Sequence, residues 1–431
     1  MLILYDIILW FLFPFILVYH TYRSVSRGRP AALTRRLGFI STDVAAEFGG
    51  RQPIWVHAVS VGETIAVKPL LAALKKCYPE HPVVISNMTE TGRSIALKLA
   101  DVDACIYFPF DFRFAINRLL SELKPALIII VETELWPNFL RSAHSLSIPV
   151  AVVNGRISDR SFRSYLRFRI FFSRILSYVD AFCMQSEEDA ERIKAMGAPS
   201  ENVTVTRNLK YDISFTRAGL EEKRRTREKF GIPESVFVFT AGSTHKGEDE
   251  YVLSAYESLR KSGADALLVL VPRHPERAGE VADASEKYGL RPVLRSALSG
   301  HAGRLGIDEF LLVDTVGELL SLYTVSDLAF VGGSLVPVGG QNPLEPASQG
   351  VPVLFGPHMT NFRDIAALSV RYGAAMEVPD SEALRLTVID LYGDKDACLR
   401  MGEGGRRLLS EQAGSTDLNM RVIDRILHRE P

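Results

Sequence analysis

The residue pattern points to an α/β chain of two doubly wound domains facing a cleft, set behind an apolar N-terminal helix. Short β-branched runs alternate with amphipathic stretches of helix length, as buried parallel strands in βα units do. The alternation stops at a charged stretch, residues 221–229, and then restarts. Ahead of both series, residues 2–19 are almost continuously apolar, broken only by Asp6 and Pro14.

That stretch of 18 residues is at the short end of what spans a bilayer. No basic region precedes them and no small-x-small cleavage site follows, so residues 1–20 read as an uncleaved anchor rather than a signal peptide. A helix dipping into one leaflet is the alternative. His20, Arg23, Arg27, Arg29, Arg35 and Arg36 come next, with no acid before Asp43. Such a flank, here the juxtamembrane segment 21–50, marks the cytoplasmic side. The first strand series lies at 54–59, 83–86, 104–108, 126–131, 150–153, 181–184 and 203–206, within a domain at 51–208. After a linker at 209–230, the second domain, 231–431, has strands at 236–241, 266–271, 309–313, 328–331 and 351–355.

Composition narrows the function classes. The chain has 431 residues, 47% apolar, with 50 basic against 51 acidic side chains. It is too apolar for disorder and too neutral to coat nucleic acid, which demands a basic excess. Cys77, Cys105, Cys183 and Cys398 lie far apart, without metal-ligand or disulfide spacing, which suits a reducing compartment.

Ligands of doubly wound sheets sit outside the carboxyl ends of the strands, and there this sequence places its polar residues. They include 57–64 and 132–138 in the first half, then 242–248, 272–275, 314–318, 332–334 and 339–345. None matches a dinucleotide fingerprint or a Walker loop. Ser60-x-x-Glu63 also reads as a helix capping box, and Asn342-Pro343-Leu344-Glu345 as N-cap, N1 proline and N3 acid. Glu132 and Glu134 are harder to explain structurally, because carboxylates directly after an apolar strand are costly to bury unless paired or used. Arg273 suits either an ion pair or a phosphate, and the Val316-Gly317-Glu318 turn offers amides to an anion.

Taken together, Ser-Val-Gly-Glu (60–63), Glu-Thr-Glu-Leu-Trp-Pro-Asn (132–138), Asn-Leu-Lys-Tyr-Asp (208–212), Pro-Arg-His-Pro-Glu-Arg (272–277), Phe-Val-Gly-Gly-Ser (330–334) and Asn-Pro-Leu-Glu (342–345) resemble the Kdo transferases. The resemblance covers nearly the whole chain. These enzymes move 3-deoxy-D-manno-oct-2-ulosonic acid (Kdo) from CMP-Kdo to the lipid A precursor in lipopolysaccharide biosynthesis, at the bacterial inner membrane. The resemblance implies a GT-B fold of two Rossmann-like domains, the first binding acceptor and the second CMP-Kdo. It implies Glu63 as catalytic base, with Glu132 and Lys210 stabilising the transition state. It places CMP on Pro272 and Arg273, on Val316, Gly317 and Glu318, and on Asn342, Pro343, Leu344 and Glu345. Arg207 stands where that pattern has glycine, and Gln341 where it has histidine. Another sugar-nucleotide enzyme of this architecture, a different glycosyltransferase or an epimerase, and a non-catalytic membrane scaffold are the alternatives.

The residues fit such chemistry without metal or cofactor. A sugar hydroxyl needs a carboxylate to take its proton, and charge growing on the leaving phosphate suits Arg273 and the 316–317 amides. If residues 159–178 form one helix, Arg160, Arg163, Arg167 and Arg174 share an arc of roughly 60°. That is either a solvated basic face or a contact with anionic lipid or a phosphorylated acceptor.

Overall fold

The computed structural model describes residues 1–26, 32–40, 48–213, 218–300, 305–306 and 308–428. Arg27, Arg29 and Asp43 of the expected basic flank, and 214–217 of the expected linker, lie outside them. The chain divides into two compact units, Met1–Ile213 with Gln412–Pro431, and Ser214–Glu411.

The first unit carries a seven-stranded sheet: β1 (Ile54–His57), β2 (Val83–Asn87), β3 (Ala104–Tyr107), β4 (Leu127–Val131), β5 (Val150–Gly155), β6 (Ala181–Met184) and β7 (Val203–Val205). Its order is β3-β2-β1-β4-β5-β6-β7, and every pairing is parallel. Strands such as Leu-Ile-Ile-Ile-Val at β4 are buried along their whole length because helices cover both faces. The strand order reverses between β1 and β4, which opens a crevice at their carboxyl ends.

The second unit repeats the plan with β8 (Phe237–Thr244), β9 (Ala266–Pro272), β10 (Arg291–Leu294), β11 (Glu309–Leu312), β12 (Leu328–Val331), β13 (Val353–Phe355) and β14 (Ala375–Glu377). The order β10-β11-β9-β8-β12-β13-β14 reverses between β8 and β12. The two strands not expected from sequence, β10 and β14, are the two sheet edges. Apart from the buried Ala375, their residues are exposed or half-buried, and they lack the continuous apolar run of a central strand.

Two sequence expectations are corrected. Residues 412–431 were assigned to the second domain but belong to the first unit. The helix Ser415–Leu427 buries Val422, Ile423 and Ile426 in one cluster with Leu70, Leu71 and Leu74 of the helix Lys68–Cys77. The Asp212 carboxylate accepts the Gly414 amide at 2.7 Å, and Tyr78 donates to Asp424 at 3.0 Å. Nor do residues 159–178 form one helix. Asp159–Arg167 and Arg169–Leu176 are separated at Phe168, whose φ of −115° interrupts the arginine arc.

The N-terminal helix Leu2–Ser26 includes a 21-residue stretch of mean hydropathy 2.3, long and apolar enough to cross a membrane. Ile3, Phe11, Phe15 and Val18 stay exposed on it. Another side rests on the first unit. Tyr5 donates to Asp111 at 2.8 Å, Asn138 donates to Asp6 at 2.7 Å, and Arg141 lies 3.7 Å from Asp6. Further along, Trp10 and Phe13 meet Phe112 at 5.4 and 4.9 Å between ring centres, and His20 meets Phe110 at 5.0 Å.

Ile423→Ala should cost about 2–5 kcal/mol, as large-to-small changes in a packed core do. The loss should appear as faster hydrogen exchange in Lys68–Cys77 with the second unit unchanged. Unaltered exchange in that helix would detach the C-terminal helix from the first core.

Candidate active site

In the first unit the crevice between β1 and β4 gathers carboxylates. Ser60 caps the helix Val61–Ala66 with extended backbone, and its Oγ accepts the Glu63 amide at 3.3 Å. The Glu63 carboxylate completes the box, accepting from the Ser60 hydroxyl at 2.8 Å and from the Val59 amide at 2.7 Å. The capping reading therefore holds, and it aims both oxygens. Glu63 is only 7% exposed, and its proton affinity is raised first by burial and then by the Glu132 carboxylate. Glu134 is pushed up to about 7, again by burial first and then by Glu63. Tyr165 is raised by burial and by Glu134, which places the helix Asp159–Arg167 beside this carboxylate group.

The backbone here is strained where function is expected. Glu132 follows β4 at φ +60°, its amide donating to the Val153 carbonyl at 2.9 Å. Asn154, next to last in β5, has φ +54°, and its Oδ1 accepts the Leu209 amide at 3.0 Å. Arg207 adopts φ +64°, the left-handed region that favours glycine, so the residue type of the Kdo-transferase pattern suits this conformation. Arg207 donates to the Ala413 carbonyl at 3.1 Å, and Ser415 donates to the Arg207 carbonyl at the same distance. These bonds hold a conformation costing roughly 1–2 kcal/mol. They position Lys210, whose amide donates to Asn208 at 2.9 Å within a 3-10 turn packed against Val61–Ala66.

In the second unit, Arg273 stands exposed after β9, its amide donating to Thr244 at 2.9 Å. Glu345 lies near it: burial raises this carboxyl, while Asn342 and the Arg273 charge pull it down. The helix here begins at Leu344, one residue later than expected. Pro343 rather than Asn342 therefore holds the N-cap position, and Asn342, one residue further out, accepts the Leu344 amide at 3.1 Å. The 316–318 turn precedes the helix Leu319–Tyr323, with Gly317 at φ +89° and Val316 exposed. The Glu318 carboxylate serves the fold. Burial alone would raise it, but bonds from Lys229, Thr315 and Arg295 carry it down to about 2. Arg160, Arg163 and Arg167 are exposed on the first of the two short helices and Arg174 on the second.

Among the described residues, no group of three or more His, Cys, Asp or Glu is placed to hold a metal ion. Two Asp-x-Asp sequences, 101–103 and 394–396, do occur. Asp103 lies at the amino end of β3, where it takes the Val83 amide at 2.7 Å and pairs with Lys75.

Sequence reasoning places Glu248 only within the polar stretch 242–248 and assigns it no role. Fully buried, it accepts four backbone amides: His245 at 2.9 Å, Gly333 at 2.6 Å, Ser334 at 2.9 Å and Leu335 at 2.8 Å. Its partners at 333–335 are distant in sequence, and no local spacing signals them.

Residues 31–213 match the family described as 3-deoxy-D-manno-octulosonic-acid transferase (kdotransferase). The chain is 34% identical over 421 residues to 3-deoxy-D-manno-octulosonic acid transferase from Haemophilus influenzae, covering 96% of each protein. It is 34% identical to the Bordetella pertussis transferase of the same name, over 86% of this chain and 87% of that one. UDP-GlcNAc 2-epimerase from Neisseria meningitidis bound to UDP-GlcNAc shares the fold, with TM-score 0.62 at 14% identity over 87% of this chain and 100% of the other. With two parallel doubly wound sheets and relatives matched over almost its full length, the chain belongs to the 3-deoxy-D-manno-octulosonic acid transferase family and is a glycosyltransferase of GT-B type.

Proposed function

We propose that the protein transfers Kdo from CMP-Kdo to a lipid A precursor in lipopolysaccharide biosynthesis, with inversion and without metal, at the cytoplasmic face of the bacterial inner membrane. The observation that carries the mechanism is the buried Glu63, oriented by Ser60 and Val59 and raised in proton affinity by burial and by Glu132. A carboxylate so placed takes the proton of an acceptor hydroxyl as that oxygen bonds to the anomeric carbon of Kdo. The bond from that carbon to the CMP phosphate oxygen breaks in the same displacement, which inverts the centre. Negative charge passes to the phosphate, where Arg273 and the 316–317 amides offer stabilisation. Asn342–Glu345 and Pro272 complete the nucleotide seat. Glu132 and Lys210 stabilise the transition state, Lys210 from the turn fixed by Asn154 and Asn208.

The N-terminal helix is read as a monotopic anchor. From Tyr5 to His20, about 22 Å of helix at 1.5 Å per residue, one side rests on the first unit while apolar residues face outward. Arg141 pairs with Asp6, the one charge that the apolar stretch would otherwise carry into lipid, and Asn138 donates a hydrogen bond to it. Arg160, Arg163, Arg167 and Arg174 add contact with anionic headgroups or the acceptor.

Glutamine fits a capping box but accepts no proton. Glu63→Gln should therefore keep the melting temperature and CMP affinity while turnover of CMP-Kdo falls by about 10²–10⁴. The raised proton affinity places the acid limb of kcat/KM above the ordinary carboxylate range, since the base works only above its own pKa. Glu132→Gln removes a like charge and should move that limb down while lowering the rate. Near-normal turnover in Glu63→Gln would move the base to Glu132 or Glu134. A protein that turns over UDP-sugars but not CMP-Kdo would refute the donor.

EDTA should leave the chemical step intact. Loss of transfer with recovery on one divalent ion would overturn the metal-free mechanism.

Deleting residues 1–20 should weaken vesicle binding yet spare transfer to a soluble acceptor analogue, and the residual binding should fall with salt. A cysteine placed at position 2 should react with an impermeant maleimide from the cytoplasmic side. Reaction only from the opposite side would make the anchor a full span.

A further inference from the structure

In a doubly wound sheet the switch point is where the phosphate of a nucleotide is usually received, and in the second unit that place lies between β8 and β12. The Gly332-Gly333-Ser334 turn there aligns the amides of Gly333, Ser334 and Leu335 on one point, the geometry of an anion nest. The nest is already filled. Glu248 places one oxygen on Ser334 and Leu335 and the other on Gly333 and His245, with no exposed surface of its own.

The turn is joined directly to the proposed nucleotide seat. Gly340 donates to the Gly333 carbonyl at 2.7 Å, so the loop running on to Asn342 and Glu345 hangs from the segment that Glu248 holds. His245 closes the other side, a Cβ at Gly333 (φ +68°) lying only 3.2 Å from its ring. Arg273 and His274 act on His245, and Arg273 acts on Glu345. One buried carboxylate thus ties the end of β8, the end of β12 and the 339–345 loop together.

We infer that Glu248 is a positioning residue for donor binding: it occupies the switch-point nest in place of a ligand phosphate and sets the 333–345 loop, leaving the donor phosphate to Arg273. This rests on the proposed nucleotide role of residues 342–345. The carboxylate touches no reacting atom, so its loss should appear in binding rather than in turnover.

The test uses the full chain in detergent. CMP binding is measured by calorimetry, and KM for CMP-Kdo is separated from kcat. In Glu248→Gln the amide group faces two N–H donors and loosens the turn. The CMP dissociation constant and donor KM should rise about tenfold or more, with kcat at saturating donor within about threefold of wild type. Gly333→Ala strains the same turn against His245 without removing the carboxylate and should give the same signature. It decides the question alone if the glutamine variant does not fold. Unchanged CMP affinity in the folded variants, or a fall in kcat with affinity intact, would overturn the positioning role. Failure of the wild-type protein to bind CMP would instead refute the underlying nucleotide assignment.

Discussion

A parallel strand covered on both faces can carry almost no ionisable side chain along its length, because each would be stripped of water without a partner. Both sheets obey this constraint, and it decides where chemistry can occur. Polar residues emerge where strands end and, above all, where the strand order reverses. Glu63 and Glu132 leave β1 and β4 at one reversal, and the Glu248 nest lies at the other. Supporting residues follow the same rule. Asn154 near the end of β5 and Arg207 just beyond β7 shape the turn that presents Lys210.

The two units use carboxylates in opposite ways. In the first, the Glu132 carboxylate raises the proton affinity of Glu63, and Glu63 and Glu132 together raise that of Glu134. That suits proton transfer. In the second, Glu318 is saturated by Lys229, Arg295 and Thr315, Glu248 by backbone amides, and Asp249 by Arg277 and Thr244. These acids fasten loops. With their negative charge spent internally, Arg273 remains exposed at a strand end to meet an anion.

Much of this was legible in the residue order because central strands and capping boxes are local patterns. Among the described residues, twelve of the fourteen strands could be read from the sequence. The two edge strands of the second sheet could not, since Arg291 and Pro292 in β10 and Glu377 in β14 interrupt any apolar run. The Ser60–Glu63 box was legible at its spacing of three, and its structure shows that capping and an aimed carboxylate are one arrangement. The break at Phe168 escaped notice because the residues around it keep a helical periodicity. The left-handed backbone of Glu132 was hidden as well, since no residue type announces it. That of Arg207 was visible only as a departure from an expected glycine. The bonds of Glu248 to 333–335 and of Asp6 to Asn138 join residues far apart, so they exist only once the sheets have formed.

The helix Ser415–Leu427 changes how the chain must be made. Its apolar face completes a core whose other members lie between Ile54 and Leu209, so the polypeptide crosses between the units twice, after Ile213 and again after Glu411. During synthesis the second unit, continuous in the chain, emerges whole and can close first. The first unit waits with an open apolar surface until Ile426 has left the ribosome. The helix therefore works as a latch on the first unit, closing a core whose other members are made before the second unit begins.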